Sequence, residues 1–173
     1  MRLKPLPSTE YAKRITRLQT ELKQAGLDCL IGYSSESESG TTRYLAGFWP
    51  FFDFAALIIP AEGKAVLITG GPESFEFAKR FSTAPKIGIN PLLVETSAPE
   101  WVPEVQGESF KVLLPAACGG TPKRIGVANW NILPQVVSPT LASANRVTSA
   151  GMLKSQPVRA LHSVAPNSFR KSW

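Results

Sequence analysis

A helix joined to a strand by one glycine constrains this chain more than any other stretch. Apolar residues fall at Tyr11, Ile15, Leu18, Leu22 and Ala25. Alternating steps of four and three put them on one face of an α-helix. Pro7-Ser8-Thr9-Glu10 reads as its start, where Ser8 or Thr9 offers an oxygen to orphan N–H groups and Glu10 suits the positive end of the dipole. Gly26 stands where a helix ends in the left-handed conformation. The apolar run 27–33 follows at once and reads as a short buried strand. A helix face and a strand have to bury one another, so the predicted fold class is α/β.

The remaining stretches extend that pattern. Residues 34–42 are polar and rich in Ser, Glu and Gly, and read as a loop. Residues 54–59 and 64–69 read as strands paired across the Pro60-Ala61-Glu62-Gly63 turn. Gly70-Gly71-Pro72 leads into a helix over 73–81, with Phe77 and Phe81 on one stripe and Phe75 off it. Residues 86–89 and 92–94 are weaker strand candidates, and 100–105 is ambiguous. Residues 110–114 fit a strand or part of a helix. Residues 123–128 read as a strand and 131–141 as a short helix limited by Pro134 and Pro139. From 142 to 173 periodicity fades, and a poorly packed basic tail is expected. No internal repeat is visible.

Composition narrows the function. The chain has 173 residues, 43% hydrophobic and 18% charged, enough to bury the core of one ordinary domain with a tail. Two cysteines and one histidine exclude a disulfide scaffold and a four-ligand Cys/His zinc site. The net charge of +6 is unevenly spread. Through Glu108 there are 11 basic and 13 acidic residues; after it there are 8 basic residues and no carboxylate. Scattered charges of this kind read as a solvated surface rather than a nucleic-acid footprint. The start carries no apolar leader core. The most apolar stretch, 48–60, is broken by Pro50 and Asp53 and is too short to span a bilayer. Two unpaired cysteines fit a reducing compartment, so the expected location is the cytoplasm, with no membrane partner.

Several motifs then line up in order. Arg14-x-x-x-Leu18 precedes Gly26-Leu27-Asp28-Cys29-Leu30-Ile31. Arg43-Tyr44-Leu45-Ala46-Gly47-Phe48 is similar to a "Tyr-Leu-Thr-Gly-Phe" signature. Ala56-Leu57-Ile58-Ile59-Pro60, Gly63 and Val66-Leu67-Ile68 match the hairpin that follows it, and Arg124-Ile125-Gly126-Val127 a later "Arg-Ile-Gly-Val" strand. Together they resemble the N-terminal domain of the creatinase, aminopeptidase P and prolidase (Xaa-Pro peptidase) family, over residues 8–141. The resemblance implies a three-layer α/β/α fold with a mixed sheet in a ribonuclease-H-like arrangement. It further implies, in full-length members, a second "pita-bread" domain holding two divalent metals such as manganese on two Asp, one His and two Glu. That site cannot be assembled after Glu108, where no carboxylate remains and His162 is the one imidazole. No catalytic residue, metal ligand or cofactor is therefore assigned to this chain.

The match fades after Met152-Leu153-Lys154-Ser155, which resembles the family's linker into the catalytic domain. Residues 142–173 thus stand at the position of that linker. A truncated or frame-disrupted gene product accounts for the mismatch; a natural stand-alone domain is the alternative.

Substrate-proximal or interface residues are implied by the resemblance at Arg43, Tyr44, Phe48, Trp49, Phe51 and Asp53. In the family the segment around 48–54 lies near the subunit interface and helps wall the neighbour's substrate pocket; plain core packing of aromatics is the competing reading. Creatinase-like members place a carboxylate-binding arginine at what aligns with Asp53, so an acid there favours a Xaa-Pro peptidase parent. Arg43 could hold a carboxylate in a bidentate pair or be a solvated loop residue. Thr69-Gly70-Gly71-Pro72 and Gly119-Gly120 read as turns rather than phosphate loops. Cys29 reads as a buried small hydrophobe and Cys118 as a loop thiol without a base. The function read from all this is a non-catalytic oligomerisation and substrate-access domain, forming a homodimer or docking on a catalytic peptidase domain. The alternatives are a subunit complementing a separate peptidase chain and, less favoured, a basic-tail nucleic-acid binder, for which Trp130, Phe169 and Trp173 are too dispersed.

Overall fold

Every residue of the two central strands is buried, which is what a sheet covered on both faces demands. In the computed structural model, which describes residues 6–95, 101 and 103–128, the strands are β1 (Cys29–Ser34), β2 (Ala55–Pro60), β3 (Val66–Thr69), β4 (Lys86–Ile89) and β5 (Ile125–Ala128). Their order is β4-β3-β2-β1-β5. Pairs β1–β2 and β2–β3 are antiparallel, while β3–β4 and β1–β5 are parallel, so the sheet is mixed. The β2–β3 hairpin expected from the sequence is present, with Leu57 opposite Leu67.

The helices are α1 (Ser8–Gln24), α2 (Gly40–Ala46), α3 (Pro72–Phe81) and α4 (Phe110–Cys118). The period of two sorts the strand residues onto two faces. Cys29, Ile31, Tyr33, Ala56, Ile58, Val66 and Ile68 pack with Phe110, Leu113 and Leu114 of α4. Leu30, Ala55, Leu57, Ile59 and Leu67 pack with Leu22 of α1, Leu45 and Ala46 of α2 and Ala78 of α3. Three helices on one face and α4 on the other make the three-layer α/β/α arrangement that the resemblance implies.

Helix α1 ends as its sequence asks. Gly26 adopts φ 65°, its N–H reaches the carbonyl of Lys23, and the Leu27 N–H reaches that of Leu22. This is the paired closure of a left-handed C-terminal cap. Its start differs from expectation: Pro7 is the cap residue, and no Ser8 or Thr9 side chain bonds the orphan donors. Ala25, placed on the apolar stripe by sequence, is exposed, and Phe81 lies 59% exposed at the end of α3.

Three further expectations are corrected. Residues 40–42 belong to α2, because burial of Thr42 and the bond from its N–H to Ser34 Oγ (3.2 Å) outweigh the weak helix preference of Gly-Thr-Thr. Residues 91–93 form a 3-10 turn rather than a strand, since Pro91 sits at its first position and Asn90 Oδ1 accepts the Leu92 N–H at 2.9 Å. Residues 110–114 resolve as helix, and Cys118 closes that helix rather than lying in a loop. The expected helix at 131–141 and the tail at 142–173 lie outside the described residues. No helix of the described residues is long and apolar enough to cross a membrane.

Candidate interaction surface

The site residues expected from sequence all lie between the start of α2 and the start of β2. Helix α2 ends at Gly47, whose φ of 65° lets its N–H reach the Arg43 carbonyl at 3.1 Å. The reversal throws Phe48 inward and Trp49 outward. Phe48 is 1% exposed and meets Phe77 edge-on, ring centroids 6.0 Å apart. Burying a Phe of this kind stabilises the fold by ~2–3 kcal/mol. Tyr44 also turns toward the protein: the Arg14 guanidinium lies 4.2 Å from its ring centroid and donates to its backbone carbonyl at 3.0 Å. Arg14, noted from sequence only as part of a motif, thus ties α1 to α2, with Glu10 accepting from its Nε at 3.1 Å.

Asp53 faces inward as well, at 5% exposure. Its Oδ2 accepts the Gly71 N–H at 2.9 Å and the Ser74 hydroxyl at 2.6 Å, and its Oδ1 accepts the Glu95 N–H at 3.3 Å. Gly71 caps α3, so this carboxylate occupies the positive end of that helix. Gly70-Gly71-Pro72 is accordingly a strand-to-helix turn whose anion comes from the protein itself. Ser74 carried no signal in the sequence, because its partner lies 21 residues away.

The outward residues form one surface. Trp49, Phe51 and Phe52 are 42%, 47% and 48% exposed. They meet edge to face, with centroids 5.5 Å apart for Trp49–Phe51 and 4.9 Å for Phe51–Phe52. Phe52 continues to Phe77 at 6.3 Å and Phe77 to Phe81 at 4.6 Å. Trp49 is oriented by its Nε1–H, which donates to the Glu36 carbonyl at 3.1 Å, and the Arg43 guanidinium stands 6.0 Å from its ring. Among the described residues Arg43 has no carboxylate partner. Of the six expected residues, then, Arg43, Trp49 and Phe51 share an exposed surface, while Tyr44 turns to Arg14 of α1 and Phe48 and Asp53 are buried. Phe52, Phe77 and Phe81 complete the surface. Exposed aromatics gathered this way mark contact surfaces more often than scattered ones do.

The family model described as the creatinase/prolidase N-terminal domain matches residues 14–138. The chain belongs to this family. Among solved structures, a proline dipeptidase from Streptococcus pneumoniae aligns at TM-score 0.52 and 17% identity, over 75% of this chain and 83% of that one. A Xaa-Pro dipeptidase from Bacillus anthracis aligns at 0.51 and 16%, over 76% of this chain and 31% of that one. Dipeptidase PepE from Mycobacterium ulcerans aligns at 0.43 and 19%, over 77% and 38%. This creatinase/prolidase N-terminal domain thus spans well under half the length of the latter two dipeptidase chains. No curated protein matches the chain by sequence.

The two-metal centre implied for full-length members does not fit these residues. Among the described residues no three His, Cys, Asp or Glu side chains gather as a ligand set. Beyond Glu108 the chain supplies Cys118 and His162 but no carboxylate. Hard divalent ions need oxygen donors, chiefly carboxylate side chains, which the residues after Glu108 do not supply.

Proposed function

We propose that this chain is a non-catalytic N-terminal module of a Xaa-Pro peptidase-like metallohydrolase, which pairs with a second copy of itself and shapes access to a substrate pocket. The observation that carries this reading is the exposed aromatic surface of Trp49, Phe51, Phe52 and Phe81. Water contact with these rings is unfavourable by ~25 cal/mol for each Å² of apolar area, so covering them favours association. A second copy brings the same surface, and a twofold pairing of aromatic on aromatic is self-complementary. Arg43 at its rim suits the carboxylate of a bound peptide. The absence of carboxylates after Glu108 argues against hydrolysis by this chain alone. The free cysteines suit a reducing compartment such as the cytoplasm.

Sedimentation equilibrium of the purified chain, alongside an assay of Xaa-Pro dipeptides with manganese, tests this. A dimer without turnover is expected. A monomer at all accessible concentrations defeats the pairing, and turnover by the pure chain defeats the non-catalytic assignment.

A further inference from the structure

We propose that Cys29 and Cys118 form a peroxide-sensitive thiol pair, in which Cys118 is oxidised first and Cys29 resolves it into a reversible intramolecular disulfide. The fold makes this pair from residues far apart in the chain. Cys29 opens β1 and is wholly buried among Ile31, Ile58 and Leu114; Cys118 ends α4 and packs on the same cluster from the helical layer. Both thiols are free, and both pack in the one cluster between β1 and α4, where the Cys29 thiol acts on the Cys118 sulfur.

Access separates their roles. Cys118 is half-buried and lines an open cavity of about 530 Å³, while Cys29 does not reach it. Lys23, Asp28, Glu62 and Lys123 also line that cavity, so it admits a small polar oxidant. Lys23 is held by Glu62 at 2.9 Å. The thiols also differ in acidity. The contact with Cys118, together with burial, holds the Cys29 thiol well above the ordinary range. The same contact lowers the Cys118 thiol, because Cys29 acts as donor toward its sulfur; burial and Asp28 oppose that lowering without cancelling it. Cys118 is therefore the readier thiolate, and the thiolate is the reactive form. Gly119 and Gly120 follow it with no atoms within 4 Å of where a side chain would begin, so the end of α4 has room to shift as the sulfurs close.

The chemistry balances with hydrogen peroxide as oxidant. The Cys118 thiolate attacks one peroxide oxygen, the O–O bond breaks, and the departing hydroxide takes up the proton released by the thiol. Cys118 becomes a sulfenic acid. The Cys29 sulfur then attacks the Cys118 sulfur, the S–O bond breaks, and hydroxide leaves with the Cys29 proton as water. Two thiols lose two electrons, and peroxide is reduced to two waters.

The test treats the purified chain with hydrogen peroxide, blocks residual thiols with maleimide under native conditions, and reads intact mass and non-reduced peptide maps. The expected result is loss of two hydrogens and a cross-linked peptide joining Cys29 to Cys118, both reversed by dithiothreitol. In Cys29→Ala, dimedone should label Cys118 instead. Two free thiols after treatment, a Cys118 sulfinic acid beside free Cys29, or disulfides only between chains would overturn the proposal. The wild-type peptide map decides the matter alone if Cys29→Ala does not fold.

Discussion

The carboxylate of Asp53 joins three segments: the connection into β2, the start of α3 and the residues just after the 3-10 turn. Charge-assisted bonds of this kind contribute more than neutral ones, and their loss leaves a buried N–H and hydroxyl without an acceptor. Asp53→Ala is therefore expected to cost about 3 kcal/mol of stability, and Asp53→Asn, which keeps one acceptor oxygen, about half as much. Urea unfolding of the two variants checks the ranking. Little of this was legible beforehand, because the bonded partners lie 18, 21 and 42 residues along the chain. What the sequence did reveal was an acid in an aromatic run, and an acid there can as readily face outward. The cysteines pose the same difficulty. Cys29 is recognisable as a buried strand residue, but nothing local announces Cys118 as its neighbour. Their contact makes a pH prediction. A lowered thiol pKa means the Cys118 thiolate appears at lower pH than in free cysteine, so alkylation by iodoacetamide should rise through a midpoint below the free value. In Cys29→Ala the principal cause is removed, and the midpoint should move upward.

At the scale of elements, local punctuation was legible and tertiary support was not. Helix α1 and β1 stood out because a periodic face, a glycine and an apolar run fall in direct succession. Gly26 holds φ 65°, and a Cβ there would lie 2.8 Å from the Arg124 guanidinium. Gly26→Ala is expected to cost about 1–2 kcal/mol for the left-handed backbone, and further if Arg124 has to move. Gly40 gives the opposite sign. It begins α2 without positive φ and with open space around it, so Gly40→Ala should gain about 0.5–1 kcal/mol. Thermal unfolding of both variants separates a glycine required by geometry from one that is merely tolerated. Helix α2 was not assigned from the sequence at all: Gly40, Thr41 and Thr42 are weak helix formers, held there by Ser34 and by burial of Thr42. Helix α4 stayed ambiguous for a related reason: Phe110, Leu113, Leu114 and Ala117 have helical spacing, but Pro115 interrupts the signal.

For the whole molecule, the order of motifs fixed the architecture more firmly than any single stretch, while the exposed aromatic surface depended on which side of the backbone each ring took. The run 48–54 reads as one aromatic cluster in sequence; the turn at Gly47 sends Phe48 into the core and leaves Trp49, Phe51 and Phe52 in water. That division yields a prediction with two independent readouts. Phe51 and Phe52 contribute little to the interior, so Phe51→Ser combined with Phe52→Ser should change unfolding free energy by only about 0.5 kcal/mol for each residue. The same double variant removes the centre of the proposed dimer contact, where aromatic anchors contribute most, and should sediment as a monomer. Salt distinguishes the apolar origin of this association from an electrostatic one. At about 1 M salt the screening length falls to about 3 Å, which would dissociate a pairing held by basic residues of one copy on acidic residues of the other. Rings covered by rings lose nothing under that condition, so the proposed wild-type dimer should persist or tighten as salt rises. Dissociation by salt, with the double variant still paired, would move the contact to a charged surface elsewhere on the chain.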